Sequence, residues 1–176
     1  NAPGTAHPDI LGRIAGIFNA TTDPSGDDKG GHGTIDAGII MGNATVGTLD
    51  PAGYLLGQGV APEASVYNTK IFKNDETYSI GANTLTSLAQ DAQNAGMTFS
   101  NNSWGTSNGG VYSANSAEID ALVRDADPVE PGNQQVVYFF SAGNDGPAAM
   151  TIASPANGKN VIAIGAAENS DADGED

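Results

Sequence analysis

The sequence contains no cysteine. Disulfides and thiolate-bound metals are therefore excluded, and packing and hydrogen bonds must hold the fold. Positive charge is scarce: 6 Lys and Arg face 21 Asp and Glu, for a formal net charge of −15. A field of that sign repels nucleic acid and anionic membranes, so neither is expected as a partner. No apolar run reaches the roughly 18 residues of a bilayer-spanning helix, so no membrane-spanning segment is expected in this chain. The acidic balance suits a secreted protein, or one living in salty surroundings, where screening makes acidic self-repulsion cheap. Asn1-Ala2-Pro3-Gly4 offers neither an initiator Met nor a signal sequence, and Asn169 to Asp176 is an acidic string. Both ends read as cuts through loops of something longer.

What is present is enough for a core: 176 residues, 39% of them hydrophobic, make one domain's worth. After a turn at His7-Pro8-Asp9-Ile10, Arg13 to Ala20 reads as a short strand and Gly33 to Met41 as a helix. Asn43 to Gly59 is Gly-rich and irregular. Ser65 to Phe72 is a strand of β-branched and aromatic residues. Leu85, Leu88, Ala89, Ala92 and Ala95 recur at helical spacing before Gly96. Met97 to Ser103 is the next strand, Ala114 to Ala126 an amphipathic helix, Gln135 to Phe140 the most apolar strand, and Asn160 to Gly165 a final buried one. Strands that alternate with helices, two of them nearly unbroken apolar runs, predict a three-layer α/β/α fold with a mainly parallel sheet. In such sheets the functional loops leave the carboxyl ends of the strands. Ser103-Trp104-Gly105 and Gly143-Asn144 follow strands directly and so belong on one edge.

The stretch with most chemistry is Gly31-His32-Gly33-Thr34, one of two places with a histidine. Glycine on both sides lets a ligand approach the imidazole, and imidazole titrates where proton transfer near neutrality needs it. The acidic residues just before it, Asp23, Asp27 and Asp28, lack the glycine-and-glutamate spacing of a known calcium loop and read as a solvated acidic loop.

Five motifs occur in order: Gly31-His32-Gly33-Thr34, Gly59-Val60-Ala61-Pro62, Asn102-Ser103-Trp104-Gly105, Ser141-Ala142-Gly143-Asn144-Asp145-Gly146 and Val161-Ile162-Ala163-Ile164-Gly165-Ala166. Together they resemble the subtilisin-like serine peptidases (subtilases, peptidase family S8), and His7-Pro8-Asp9-Ile10 resembles the segment closely following that family's catalytic Asp. The resemblance implies a serine endopeptidase acting on polypeptide substrates. It makes His32 the general base of a Ser-His-Asp triad and Asn144 the side-chain donor of the oxyanion hole. It makes Ser103, Trp104 and Gly105 a strand edge that pairs with substrate, and Ser141, Ala142 and Gly143 a wall of the pocket before the scissile bond. Ser154-Pro155 falls where members have a proline turn beside that pocket. His32 and Asn144 are thereby expected to face a common cleft. No cofactor is required for the chemistry; structural calcium is compatible with the resemblance, with no ligands assigned. Asn101 to Gly105 also resembles bacterial members exported through outer-membrane autotransporters, which agrees with a secreted or cell-surface location.

The departures define the alternatives. Where members usually carry a second histidine and a small apolar residue, this chain has Ile35 and Asp36. The family's Asp-Thr/Ser-Gly turn and Gly-Thr-Ser-x-Ala-x-Pro stretch are absent. Residues 1–176 thus read as a partial catalytic domain lacking the triad Asp and Ser. Asp36 lies one turn from His32, but neither it nor Asp9 matches the triad acid. A second reading is a non-catalytic secreted peptide-binding pseudoprotease module. A third is an acidic calcium-binding surface or adhesin domain. A sheet missing an interior strand is expected to expose edges and apolar surface, with marginal stability or aggregation as the result.

Overall fold

The computed structural model describes residues 6–167. The opening Asn1–Gly4 and the acidic string 169–176 lie outside them. The chain divides into two compact units, one ending at Gly96 and the other starting at Met97.

The first unit opens with a 3-10 turn, Pro8–Ile10, followed by β1 (Ile14–Asn19), α1 (His32–Met41), β2 (Val66–Lys70) and α2 (Leu85–Asn94). β1 and β2 pair in parallel from Ile14↔Val66 to Asn19↔Lys70, with an irregularity between Ile14 and Gly16. That irregularity faces the Tyr67 ring, which lies so close that a Cβ at Gly16 would sit 2.7 Å from Tyr67 Cε2. The Tyr67 hydroxyl donates to Asp91 Oδ2 (2.5 Å) and so ties β2 to α2. Partial burial and the Asp91 bond push its pKa up to about 12. α2 starts on a capping box, with Thr84 and Ser87 each satisfying the other's backbone amide. Its buried Leu85, Leu88 and Ala89 follow the expected periodicity.

α1 stops at Gly42 because another backbone crosses there. Gly59 N–H donates to Gly42 O (2.7 Å) and Ala61 N–H to Ile40 O (2.7 Å). A Cβ on Gly59 would lie 2.5 Å from Gly42 N and 2.7 Å from Met41 N. The stretch between, expected to be irregular, closes as a loose hairpin through the bridges Asn43↔Gln58 and Leu49↔Leu55. Asp9 anchors its start, accepting from Thr45 N–H (2.7 Å).

The second unit is β3 (Phe99–Asn102), α3 (Ala114–Leu122), β4 (Val137–Ser141) and β5 (Ile162–Ile164). The three strands form one sheet, ordered β3-β4-β5 and parallel throughout. Its core is Ile119, Leu122, Ala126, Val136, Tyr138 and Phe140. α3 is shorter than its periodicity predicts. After Leu122 the chain tightens, Arg124 N–H donating to Ala121 O, and Ala126 N–H then turns to Gln134 O. The expectation of a buried final strand fails: Ile162 and Ile164 are 43% and 51% exposed, with Phe99 (52%) and Val137 (45%) on the same face by register. On the opposite face Tyr138 and Phe140 of β4 are buried, while β5 is exposed along its whole length.

One carboxylate organises this unit. Asp120, buried on α3, accepts from Asn160 N–H (2.7 Å) through Oδ1 and from Lys159 N–H (3.0 Å) and Tyr112 O–H (2.7 Å) through Oδ2. Lys159 Nζ stands 3.6 Å from the same Oδ2. Gly158 is needed beside it, since a Cβ there would sit 3.0 Å from Asp120 Oδ1. Burial works to raise the Asp120 pKa, and the Lys159, Asn160 and Tyr112 hydrogen bonds outweigh it and hold it below the ordinary value.

Two stability predictions follow from these contacts. Gly59→Ala forces a methyl into α1's backbone and is expected to cost about 2 kcal/mol in urea unfolding. Gly38→Ala, in α1's interior with nothing within 4 Å of the added methyl, is expected to gain about 0.5–1 kcal/mol. Equal midpoints for the two variants would refute the packing described. Asp120→Asn is expected to lose about 2 kcal/mol near neutrality. A depressed carboxyl pKa contributes stability above its unfolded value, and that stability is lost as pH falls through the folded one. Wild type should therefore lose stability below pH 3.8 more steeply than Asp120→Asn, as read by unfolding at stepped pH.

Candidate functional site

The residues singled out from the sequence fall in both units, and each set is built from its own unit. In the first, His32 is the first residue of α1, with its side chain exposed. The N-cap is Gly31 at φ 83°, a left-handed conformation that suits glycine, and it offers no side chain to cap the helix. The cap comes from outside instead. Asp28 Oδ1 accepts from Gly31 N–H (2.9 Å), and Oδ2 accepts from both Thr34 N–H and Thr34 O–H (2.8 Å each). Partial burial acts to raise the Asp28 pKa; the Thr34 and Gly31 bonds overcome it and lower the pKa from its ordinary value.

The loop leading to Asp28 is not the solvated acidic loop expected. It wraps the nearly buried ammonium of Lys70 at the end of β2. Lys70 Nζ reaches Asp27 O (2.9 Å), Ser25 O (3.3 Å) and Asn74 Oδ1 (2.8 Å), and pairs with Asp23 Oδ2 at 2.9 Å. Asp23 also accepts from Asn74 N–H (2.7 Å). Asp23 and Asp28 thus hold this chain's own donors. Among the described residues no group of three or more His, Asp and Glu side chains is placed to hold a metal. Asp36, one turn beyond His32, forms no ion pair with it among the described residues.

In the second unit the structure brings the two predicted segments together. Asn102 pairs with Phe140, so 103–105 and 141–143 leave the same carboxyl edge of the sheet side by side. Both converge on Ala153. A Cβ at Gly105 would lie 3.0 Å from Ala153 Cβ, and one at Gly143 (φ 98°) would lie 3.1 Å from it. Backbone bonds lock the arrangement: Ala142 N–H to Ile164 O (2.8 Å), Ala153 N–H to Ala142 O (3.0 Å), and Thr106 with Ser154 in both directions (2.8 and 3.1 Å). Asn144 follows Gly143 directly, its side chain exposed. Trp104 serves as packing as well: its ring meets Phe140 edge-on at 5.5 Å, and Nε1 donates to Asn102 Oδ1 (3.1 Å). The Ser154-Pro155 bond is cis.

Beneath Ala153 lies a group of polar side chains that sequence reasoning missed. Ser154 Oγ is 2.5 Å from Ser113 Oγ and 2.9 Å from Ser116 Oγ, and Ser116 O–H donates to Asn157 Oδ1 (2.6 Å). Ser113 also caps α3. Asp28 was missed likewise, although its position three residues before the N-cap, with Thr34 at the third helical residue, was a usable signal.

Residues 6–174 match the family model described as the subtilase family. Serine protease AprX of Bacillus subtilis (strain 168) is 30% identical over 171 residues, covering 93% of this chain and 36% of that protein. Subtilisin BL of Lederbergia lenta is 32% identical over 168 residues, covering 93% of this chain and 52% of its own length. A solved mutant of the protease domain of PatA is similar in fold, with TM-score 0.62 and 26% identity over 93% of this chain and 54% of that one. The chain thus spans about a third of the first of these two curated relatives and about half of the second. With its parallel strand pairing and subtilisin-like α/β fold, the chain belongs to the subtilase family.

Proposed function

We propose that this chain is part of a serine endopeptidase that cleaves polypeptides outside the cell. The observation that carries the reading is an exposed histidine at the first turn of a helix, in a chain matched to the subtilase family almost throughout. His32 is the general base: it takes the proton from a serine hydroxyl as that oxygen attacks the scissile carbonyl, then returns it to the leaving amine. Asn144 donates through its carboxamide to the oxygen that becomes an anion in the tetrahedral intermediate. Ser103, Trp104 and Gly105 present backbone to the substrate, and Ser141, Ala142 and Gly143 form a wall of the pocket for the residue before the cleaved bond. None of these steps uses a cofactor.

The triad acid and the nucleophile belong, in this proposal, to parts of the polypeptide beyond residues 1–176. The apolar surface supports it. Ile35 and Ile39 on α1 are 62% and 63% exposed, although α1 is apolar on most sides, as helices are that lie inside a larger core. The bare sheet face with Phe99, Val137, Ile162 and Ile164 points the same way. Among the described residues no helix is long and apolar enough to cross a membrane.

Two measurements test the reading. The 176-residue chain alone is expected to stay unlabelled by a fluorophosphonate probe, and the polypeptide carrying the rest of the domain to be labelled at one serine. In that polypeptide Asn144→Ala is expected to lower kcat about 10²–10³-fold, and His32→Ala to lower it further. A polypeptide that binds peptides without cleaving them, indifferent to His32→Ala, would establish the pseudoprotease instead.

A further inference from the structure

We propose that Asp28 is a positioning residue for His32, fixing the imidazole by clamping the first turn of α1 from a loop that Lys70 anchors to β2. The inference rests on the reading of His32 as general base.

The need for a clamp is written in the local sequence. Gly30, Gly31 and Gly33 surround His32, so the chain on either side has the least intrinsic stiffness available. The first amides of a helix have no partner inside it, and Gly31 has no side chain to supply one. Asp28 fills the gap with both carboxylate oxygens. Its bonds go to the amides at 31 and 34, which bracket His32 on the chain. A carboxylate there also meets the positive end of the helix dipole.

The clamp is itself held. Lys70 closes β2 in register with Asn19 of β1, so its backbone belongs to the sheet. Its ammonium gathers the carbonyls of Ser25 and Asp27, the Asn74 amide oxygen and the Asp23 carboxylate. Asp27, whose carbonyl is gripped, immediately precedes Asp28. A continuous set of contacts thus runs from a sheet strand to the turn that carries the imidazole. Asp28 does not react: its three acceptor bonds are all to this chain.

The geometry also says which substitutions matter. An asparagine at 28 has one acceptor oxygen and an NH2 group, so one amide of α1 would face a donor. Isosteric Asp28→Asn should therefore break the clamp. Thr34→Val removes one bond and keeps the amide, and Thr34→Ser restores the hydroxyl.

The test has two arms. In the complete polypeptide, Asp28→Asn is expected to lower kcat about 10–100-fold with KM within about twofold of wild type, because substrate contacts are untouched while the base is misplaced. Thr34→Val should lose less, and Thr34→Ser should recover most of that loss. In the 176-residue chain, the His32 ring signal in NMR, identified by its absence in His32→Gln, should be one sharp line that broadens or doubles in Asp28→Asn. An unchanged ring line with unchanged kcat would overturn the proposal, as would kcat and KM changes that merely track lost stability. If His32→Ala leaves cleavage intact, the general-base assignment falls, while the ring signal still decides whether Asp28 fixes the imidazole. Should Asp28→Asn not fold, the Thr34→Val and Thr34→Ser pair decides by the same readouts.

Discussion

A carboxylate that receives two successive backbone amides holds the second unit together. Asp120 sits on α3, yet its partners are the amides of Lys159 and Asn160, at the entry to β5. Helix, returning chain and last strand are therefore fixed to one another through a single side chain. The same device recurs on a smaller scale. Asp9 takes the amide of Thr45, Asp23 that of Asn74, and Asp28 those of Gly31 and Thr34. A chain with a net charge of −15 and no cysteine ties its segments together with carboxylates. A carboxylate offers more acceptor sites than any neutral side chain, and its bonds to amides are charge-assisted.

This economy shapes the candidate site. The residues proposed to do chemistry stand at ends of regular elements: His32 at the start of α1, Asn144 just past β4, Ser103 to Gly105 just past β3. Element ends combine exposure with a rigid base, which is what pre-organised hydrogen bonding requires. Glycine lets the segments approach, at Gly105 and Gly143 against Ala153, and hydrogen bonds then limit the freedom that glycine introduces.

Much of this was legible in the sequence. The alternation of strand and helix, the parallel pairing and the shared carboxyl edge of 103–105 and 141–143 follow from hydrophobic period and chain order, and the paired strands lie where expected. The roles proposed for His32 and Asn144 rest on short local motifs, 31–34 and 141–146. What stayed hidden depends on contacts distant along the chain. Asp28 was read with its acidic neighbours as solvated although its spacing to Thr34 hinted at a cap; that Lys70, more than forty residues on, holds the preceding loop has no local sign at all. Gly59 gives no sign of its closeness to α1 until the crossing is seen. The error over Ile162 and Ile164 has another origin: an apolar strand announces that it wants cover, and the residues described bury side chains of β4 but leave β5 exposed.

The hydroxyls below Ala153 carry one more consequence. Ser116 has a single proton and gives it to Asn157, so across the 2.9 Å gap Ser154 must be the giver and Ser116 the taker. Ser154 has then spent its own proton, and Ser113 must supply the one between them. The protons run one way, from Ser113 through Ser154 and Ser116 to a carboxamide oxygen, and the two hydroxyls in the middle, Ser154 and Ser116, each both give and receive. A side chain at 154 that only accepts, or only donates, would strand a neighbour on one side or the other. The floor under Ala153 is therefore a directional relay with a single self-consistent order.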